Sequence, residues 1–148
     1  MSNTEIDVLT TDFYKAISFT NGIVPDVTNL EVLFVGGGIL LNNSFAEPIL
    51  FTAESLVQAL ETQVAASEVR QLTQREISAK TEIFGKVAQR ISVYEYSYAD
   101  HEVERMPKGV NYMQFAKVGD NWRIVSMVWD DENQDQLIPH EYLIGGGE

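Results

Sequence analysis

At Gln71 the hydrophobic period of this chain changes from about 3.6 residues to 2, and the strand-like period then holds as far as Trp129. A chain that places its long helices first and a run of strands afterwards segregates its helices onto one face of a mostly antiparallel sheet. The expected class is therefore α+β.

The helical half is read from stripes of apolar residues. From Thr4 to about Thr20, Ile6, Leu9, Phe13 and Ile17 recur three or four positions apart, and Asn21-Gly22 suits the stop. Pro25-Asp26 begins a short turn of helix containing Leu30. "LFVGGGILLNN" then reads as a strand whose Gly36, Gly37 and Gly38 predict a hairpin, a bulge or a sharp bend. Thr52 opens a second long helix, with Leu56, Leu60 and Val64 as its buried stripe, widened by Val57.

Four strands are expected after it, over Gln71–Phe84, Val87–Ala99, Gly109–Val118 and Asn121–Trp129. The first two meet at "FGK" and the last two at "GDN", short glycine-containing connections that suit antiparallel hairpins. Asp100 to Gly109 reads as a charged loop, and the closing residues 144–148 read as a flexible tail. With 148 residues and 45% hydrophobic content, one domain over 1–148, its core about 4–143, is the economical organisation.

The last strand poses a packing problem. Strict alternation puts Trp122, Ile124, Ser126 and Val128 on one side, and Arg123, Val125, Met127 and Trp129 on the other. Covering one tryptophan removes about 150–250 Å² from water, on the order of 4–6 kcal/mol before entropy costs. Both sides therefore call for cover, one from the helices and the other from a pocket or a second chain. The strand from Val87 is also two-sided, with Tyr94, Tyr96 and Tyr98 on one face. Tyrosine suits surfaces that are partly wet and partly covered, so a homodimer through the sheet face is expected.

A formal net charge of −12 opposes binding to phosphate backbones and anionic lipid, so neither nucleic acid nor a membrane surface is an expected partner. The chain has no cysteine, which removes disulfides and thiolate chemistry. "MSNTEIDVLTTDF" is not a secretory signal, and no apolar run reaches the roughly 20 residues that span a bilayer. A soluble cytoplasmic protein is the expectation. His101 and His140 lack metal-site spacing, "GGG" lacks the lysine and following helix of a phosphate loop, and "DDENQD" lacks the glycine and terminal glutamate of a calcium loop. No metal and no cofactor is implied.

The order of elements, with "FGKVA" at Phe84–Ala88, "NYMQF", "NWRIVSMVWDDE" and "IPHEYL" at Ile138–Leu143, resembles the superfamily named after nuclear transport factor 2, in an uncharacterised bacterial branch. The resemblance spans Thr4 to about Leu143. It implies a strongly curved, mixed but mostly antiparallel sheet wrapped around the amino-terminal helices, a cavity at the wide end of the cone, and commonly a dimer. Within it Tyr14 is placed like the oxyanion tyrosine of the ketosteroid isomerases, whereas the strand that carries their base reads Leu41-Asn42-Asn43. Amides do not abstract protons at neutral pH.

The candidate pocket residues are Tyr14, Asn42, Arg90, Tyr94, Gln114 and Trp129, for a small apolar or carboxylate-bearing ligand that Arg90 would grip. Two other readings stand beside simple binding. One is an isomerase, cyclase or dehydratase with Tyr14 or Tyr94 as donor and Asp12 or Glu76 as base. The other is a protein-interaction subunit. Which strand face is concave stays open at this point, because both pass the apolar test.

Overall fold

The computed structural model describes residues 3–98 and 106–144. Helix α1 spans Asn3–Ala16, α2 Val27–Glu31, and α3 Ala53–Ala65, between strands β1 (Phe34–Asn42), β2 (Ile49–Phe51) and the four strands that follow α3. These are β3 (Thr73–Phe84), β4 (Val87–Ser97), β5 (Lys108–Val118) and β6 (Asn121–Asp131), before a last helix α4 (His140–Ile144). The charged segment expected between the second and third long strands falls largely outside the described residues, and so does "GGGE".

Helix α1 stops four residues short of Thr20. Beyond Ile17 the backbone turns to the sheet instead, where Phe19 and Leu72 exchange two hydrogen bonds of 2.8 and 3.0 Å, and Asn21 and Gly22 take positive φ to complete the reversal. Helix α3 starts where expected, because the Thr52 hydroxyl accepts from the Ser55 amide and the Ser55 hydroxyl accepts from the Thr52 amide. Its buried stripe is Ala53, Val57 and Leu60, rotated from the expected Leu56, Leu60 and Val64. Leu56 borders a cavity and Val64 packs on the satellite cluster of Phe19, Leu60 and Leu72.

The six strands form one sheet in the order β2-β1-β6-β5-β4-β3. Only β1 and β6 run parallel; every other pair is antiparallel. The triple glycine is neither a hairpin nor the end of a strand. It is a bulge inside β1, where Phe34 pairs with Ile124 but Ile39 pairs with Ser126, and positive φ at Gly36 and Gly38 absorbs the extra residues.

A second irregularity resolves the two-sided last strand. Gln114 pairs with Ser126 and Phe115 with Ile124, so Val125 is an extra residue that reverses the alternation of β6. Trp122 and Ile124 before it, and Met127 and Trp129 after it, thereby share the concave face. Strict alternation across Val125, the premise for two covered faces, is corrected accordingly: both tryptophans turn inward in a single chain. Ile77 plays the same part in β3, between the pairs Glu76–Tyr94 and Ser78–Val93. Bulges of this kind bend the strands around the helices, giving the cone-shaped α+β architecture.

The core lies between the concave face and α1. It gathers Ile6, Leu9, Phe13 and Tyr14 of the helix with Leu40, Met113, Phe115, Trp122, Ile124 and Met127 of the sheet. On the outer face α4 lies against β3 and β4, held by Ser78 Oγ donating to the Tyr142 carbonyl and by the 2.7 Å contact between the Tyr112 and Tyr142 hydroxyls. Among the described residues no helix is long and apolar enough to cross a membrane.

Candidate functional site

Helix α3, the end of α1, β2 and the wide end of the sheet leave a cavity of about 350 Å³. Its wall is mostly apolar, from Phe13, Ile17, Phe51, Leu56 and Trp129 among others, with amides contributed by Asn42, Gln63, Gln74 and Asn111. Such a lining, apolar with a few polar groups, is that of a small-molecule site. Asn111 is 2% exposed, and its Oδ1 is buried without a hydrogen-bond partner. A buried acceptor left unpaired costs about 1–3 kcal/mol, so this atom, on a residue that lines the cavity, carries an unmet demand for a donor.

Of the six residues expected in a pocket, Asn42 and Trp129 line this cavity. Both sit where β1 and β6 pair in register. The Asn42 Oδ1 accepts from the Ser44 amide and hydroxyl, at 2.9 and 2.6 Å, which ties the strand end into a turn. Tyr14, Arg90 and Tyr94 are on the same concave side but buried deeper. Gln114 is not on that side. It is exposed on the convex face, where its Oε1 accepts from Ser126, because it precedes the bulge residue in register and alternates with the inward Met113.

Arg90 does not line the cavity, and four of its five N–H donors are engaged. Although only 4% of its side chain is exposed, Nε and Nη2 reach Glu76 at 3.0 and 2.6 Å, and Nη1 reaches Asp7 and Thr81 at 2.7 Å each. Burial works against the charged guanidinium, but hydrogen bonds and attraction from Glu76 and Asp7 outweigh it and raise the Arg90 pKa. Arg90 thus pairs with Glu76 inside the cone, while Glu95 pairs with Arg75. The expected grip of Arg90 on a ligand carboxylate is therefore not available, and among the described residues none that lines the cavity is basic.

Glu76 also accepts from Ser92 at 2.6 Å, Ser92 contacts the Tyr14 hydroxyl at 2.8 Å, and Asn111 Nδ2 donates to that hydroxyl at 3.5 Å. A continuous polar chain thus runs from the ion pair to the cavity wall. Burial raises the Tyr14 phenol above its ordinary value. A separate cluster joins Tyr94 and Tyr96 to the two oxygens of Asp131, at 2.7 and 3.0 Å. Burial first, and then the Asp131 charge, raise both phenols.

These contacts bear on acid–base chemistry. Glu76, one of the two acids considered as a base, is occupied by Arg90 and Ser92; Asp12, the other, is exposed on α1. Among the described residues, none that lines the cavity carries a carboxylate. Asn111 was absent from the expected set, yet a signal for it existed. It is the one polar residue alternating with Gly109, Met113 and Phe115 along the inward face of a central strand. His140 opens α4, and His101 lies outside the described residues.

No family model matches the chain, and no curated protein matches it in sequence. Solved structures do. A protein of unknown function with a cystatin-like fold from Nostoc punctiforme superposes with a TM-score of 0.67 at 16% identity, covering 89% of this chain and 92% of its own. A nuclear transport factor 2-like protein of unknown function from Pseudomonas putida gives 0.65 at 11% identity, with 93% of each chain covered. Another, from Silicibacter pomeroyi, gives 0.59 at 18% identity and covers 87% of this chain and 94% of its own. The chain has the nuclear transport factor 2-like fold, as the sequence resemblance implied.

Proposed function

We propose that this protein binds a small, neutral, largely apolar molecule in the cavity between α3 and the wide end of the sheet. The observation that carries the reading is the unpaired, buried Oδ1 of Asn111, a residue that lines a 350 Å³ space. Apolar walls supply the affinity and the amides supply orientation. Among the described residues the lining has no basic group, and Arg90 is held by Glu76, Asp7 and Thr81, which favours a neutral ligand over a carboxylate. Among the described residues no carboxylate lines the cavity, which favours binding over proton abstraction.

Thermal-shift measurements with naphthol and naphthoate test this directly. A ligand at a hundredfold excess over its Kd adds about 2.7 kcal/mol to folding stability, a rise of roughly 5–10 °C for a chain of this size. Naphthol is expected to raise Tm and naphthoate to leave it unmoved. A larger shift from naphthoate, or none from either compound, removes the reading. Native mass spectrometry of protein isolated from its own host would then report any retained molecule.

We further infer a homodimer through the convex sheet face. Tyr112 of β5 pairs there with Ile91 of β4 and Val128 of β6, and Tyr112 and Val128 are 51% and 42% exposed. Apolar and tyrosine side chains clustered at the centre of a sheet surface support that reading.

A further inference from the structure

A hydrogen-bond chain acquires a direction when one end can only accept. Glu76 is such an end, because a carboxylate in bidentate contact with a guanidinium accepts hydrogen bonds and donates none. Ser92 has a single hydroxyl proton, and its 2.6 Å contact with Glu76 uses it. In the 2.8 Å contact between Tyr14 and Ser92 the phenol must therefore be the donor. Tyr14 then has no proton left, so toward Asn111 it can only accept, and the amide turns its N–H to it. The other side of the same nitrogen meets the Met127 sulfur at 3.4 Å, again an acceptor.

Both neighbours of the Asn111 nitrogen thus demand a donor, and the reversed amide would set oxygen against a lone pair on each. Neither Tyr14 nor Met127 lines the cavity, whereas Asn111 does. The oxygen is accordingly the end of the amide left for an occupant.

We propose that Asn111 is the specificity-determining residue of the cavity. The Arg90–Glu76 pair, acting through Ser92 and Tyr14, forces it to offer its carbonyl oxygen, so the site selects neutral ligands that carry an O–H or N–H donor. This rests on the ligand-binding reading above and adds the polarity of the contact. Tyr14 and Ser92 are positioning residues in it. The outcome is opposite to a site whose tyrosine donates to a ligand carbonyl.

Calorimetric titration with indole and N-methylindole, which differ in one donor, tests the polarity. Indole is expected to bind about tenfold tighter or more, because only it can satisfy Oδ1. Ser92→Ala frees the Tyr14 proton and should pull that ratio toward one, and Asn111→Leu should remove the preference for indole. Equal affinities in the unmodified protein, or a ratio indifferent to Ser92→Ala, overturn the polarity and leave the binding reading intact. Binding of neither indole removes the binding reading instead. In that case the side-chain amide resonances of Asn111 decide the polarity: a shift with both Tyr14→Phe and Ser92→Ala sustains it, and no shift overturns it.

Discussion

Tyr94 on β4 donates a 2.7 Å hydrogen bond to the Oδ1 of Asp131, the last residue of β6, although one strand, β5, lies between them. The contact passes over Gly109, the β5 residue that pairs with both Tyr94 and Asp131. A tyrosine of that length crosses a strand only where the intervening residue has no side chain.

Gly109 is therefore a packing requirement. A Cβ there would collide with the Tyr94 hydroxyl and ring and lie 2.7 Å from the Asp130 carbonyl. Gly109→Ala is expected to cost about 1–3 kcal/mol by overpacking, read as a lowered urea midpoint. Combined with Tyr94→Leu, the pair should cost less than the sum of the two single changes, since the collision with the tyrosine is gone and only the Asp130 carbonyl contact remains. Additive costs would sink the account.

Alkaline pH should destabilise the protein through the same tyrosines. Tyr14 and Tyr94 are held protonated by burial, Tyr94 also by the Asp131 charge, above the ordinary value of 10.0. Once the pH exceeds about 10 the unfolded chain releases these protons and the folded one keeps them, so unfolding is favoured as pH rises. Their contribution is intact below that point and is lost above it, at about 1.4 kcal/mol per pH unit for each of these two buried phenols. Urea midpoints at about pH 8 and about pH 11 should fall accordingly, and Tyr94→Phe should flatten the decline.

Arg90→Met leaves Glu76 without its cation inside the cone and is expected to cost about 3–5 kcal/mol. Asp7→Asn, at a carboxylate 48% exposed, should cost under about 1 kcal/mol. Thermal unfolding of the two variants checks the ordering, and near-equal losses would place the energy of the cluster in packing instead of charge.

Val128→Glu puts a charge at the centre of the convex face without touching the cavity, which this residue does not line. Sedimentation velocity is expected to show a dimer for the unmodified protein and a monomer for the variant, with indole binding retained. A monomer in both cases removes the dimer.

Much of the architecture was legible in the sequence, because periodicity is a local property. The stripe of Ile6, Leu9, Phe13 and Ile17, the Thr52 cap and the change of period near Gln71 each depend on neighbours within a few residues, and they place α1, α3 and the strands where the structure has them. Bulges are different. Whether Val125 is an ordinary strand residue or an extra one depends on its pairing with β5, which no pattern inside β6 records. That one insertion decides which way Trp129 faces, whereas Gln114 is directed outward by the unbroken alternation of β5.

The chain's own residues determined an acidic α+β protein of helices followed by strands, since burial of an amphipathic stripe or an alternating face needs only sequence spacing. Only the tertiary structure decided that Arg90 would be consumed by Glu76 and Asp7, and that Asn111 would be left with an unpaired oxygen at the cavity. Hydrogen-bond satisfaction is a property of atoms brought together from α1, β3, β4, β5 and β6, and those distances exist only once the sheet has curved around its helices.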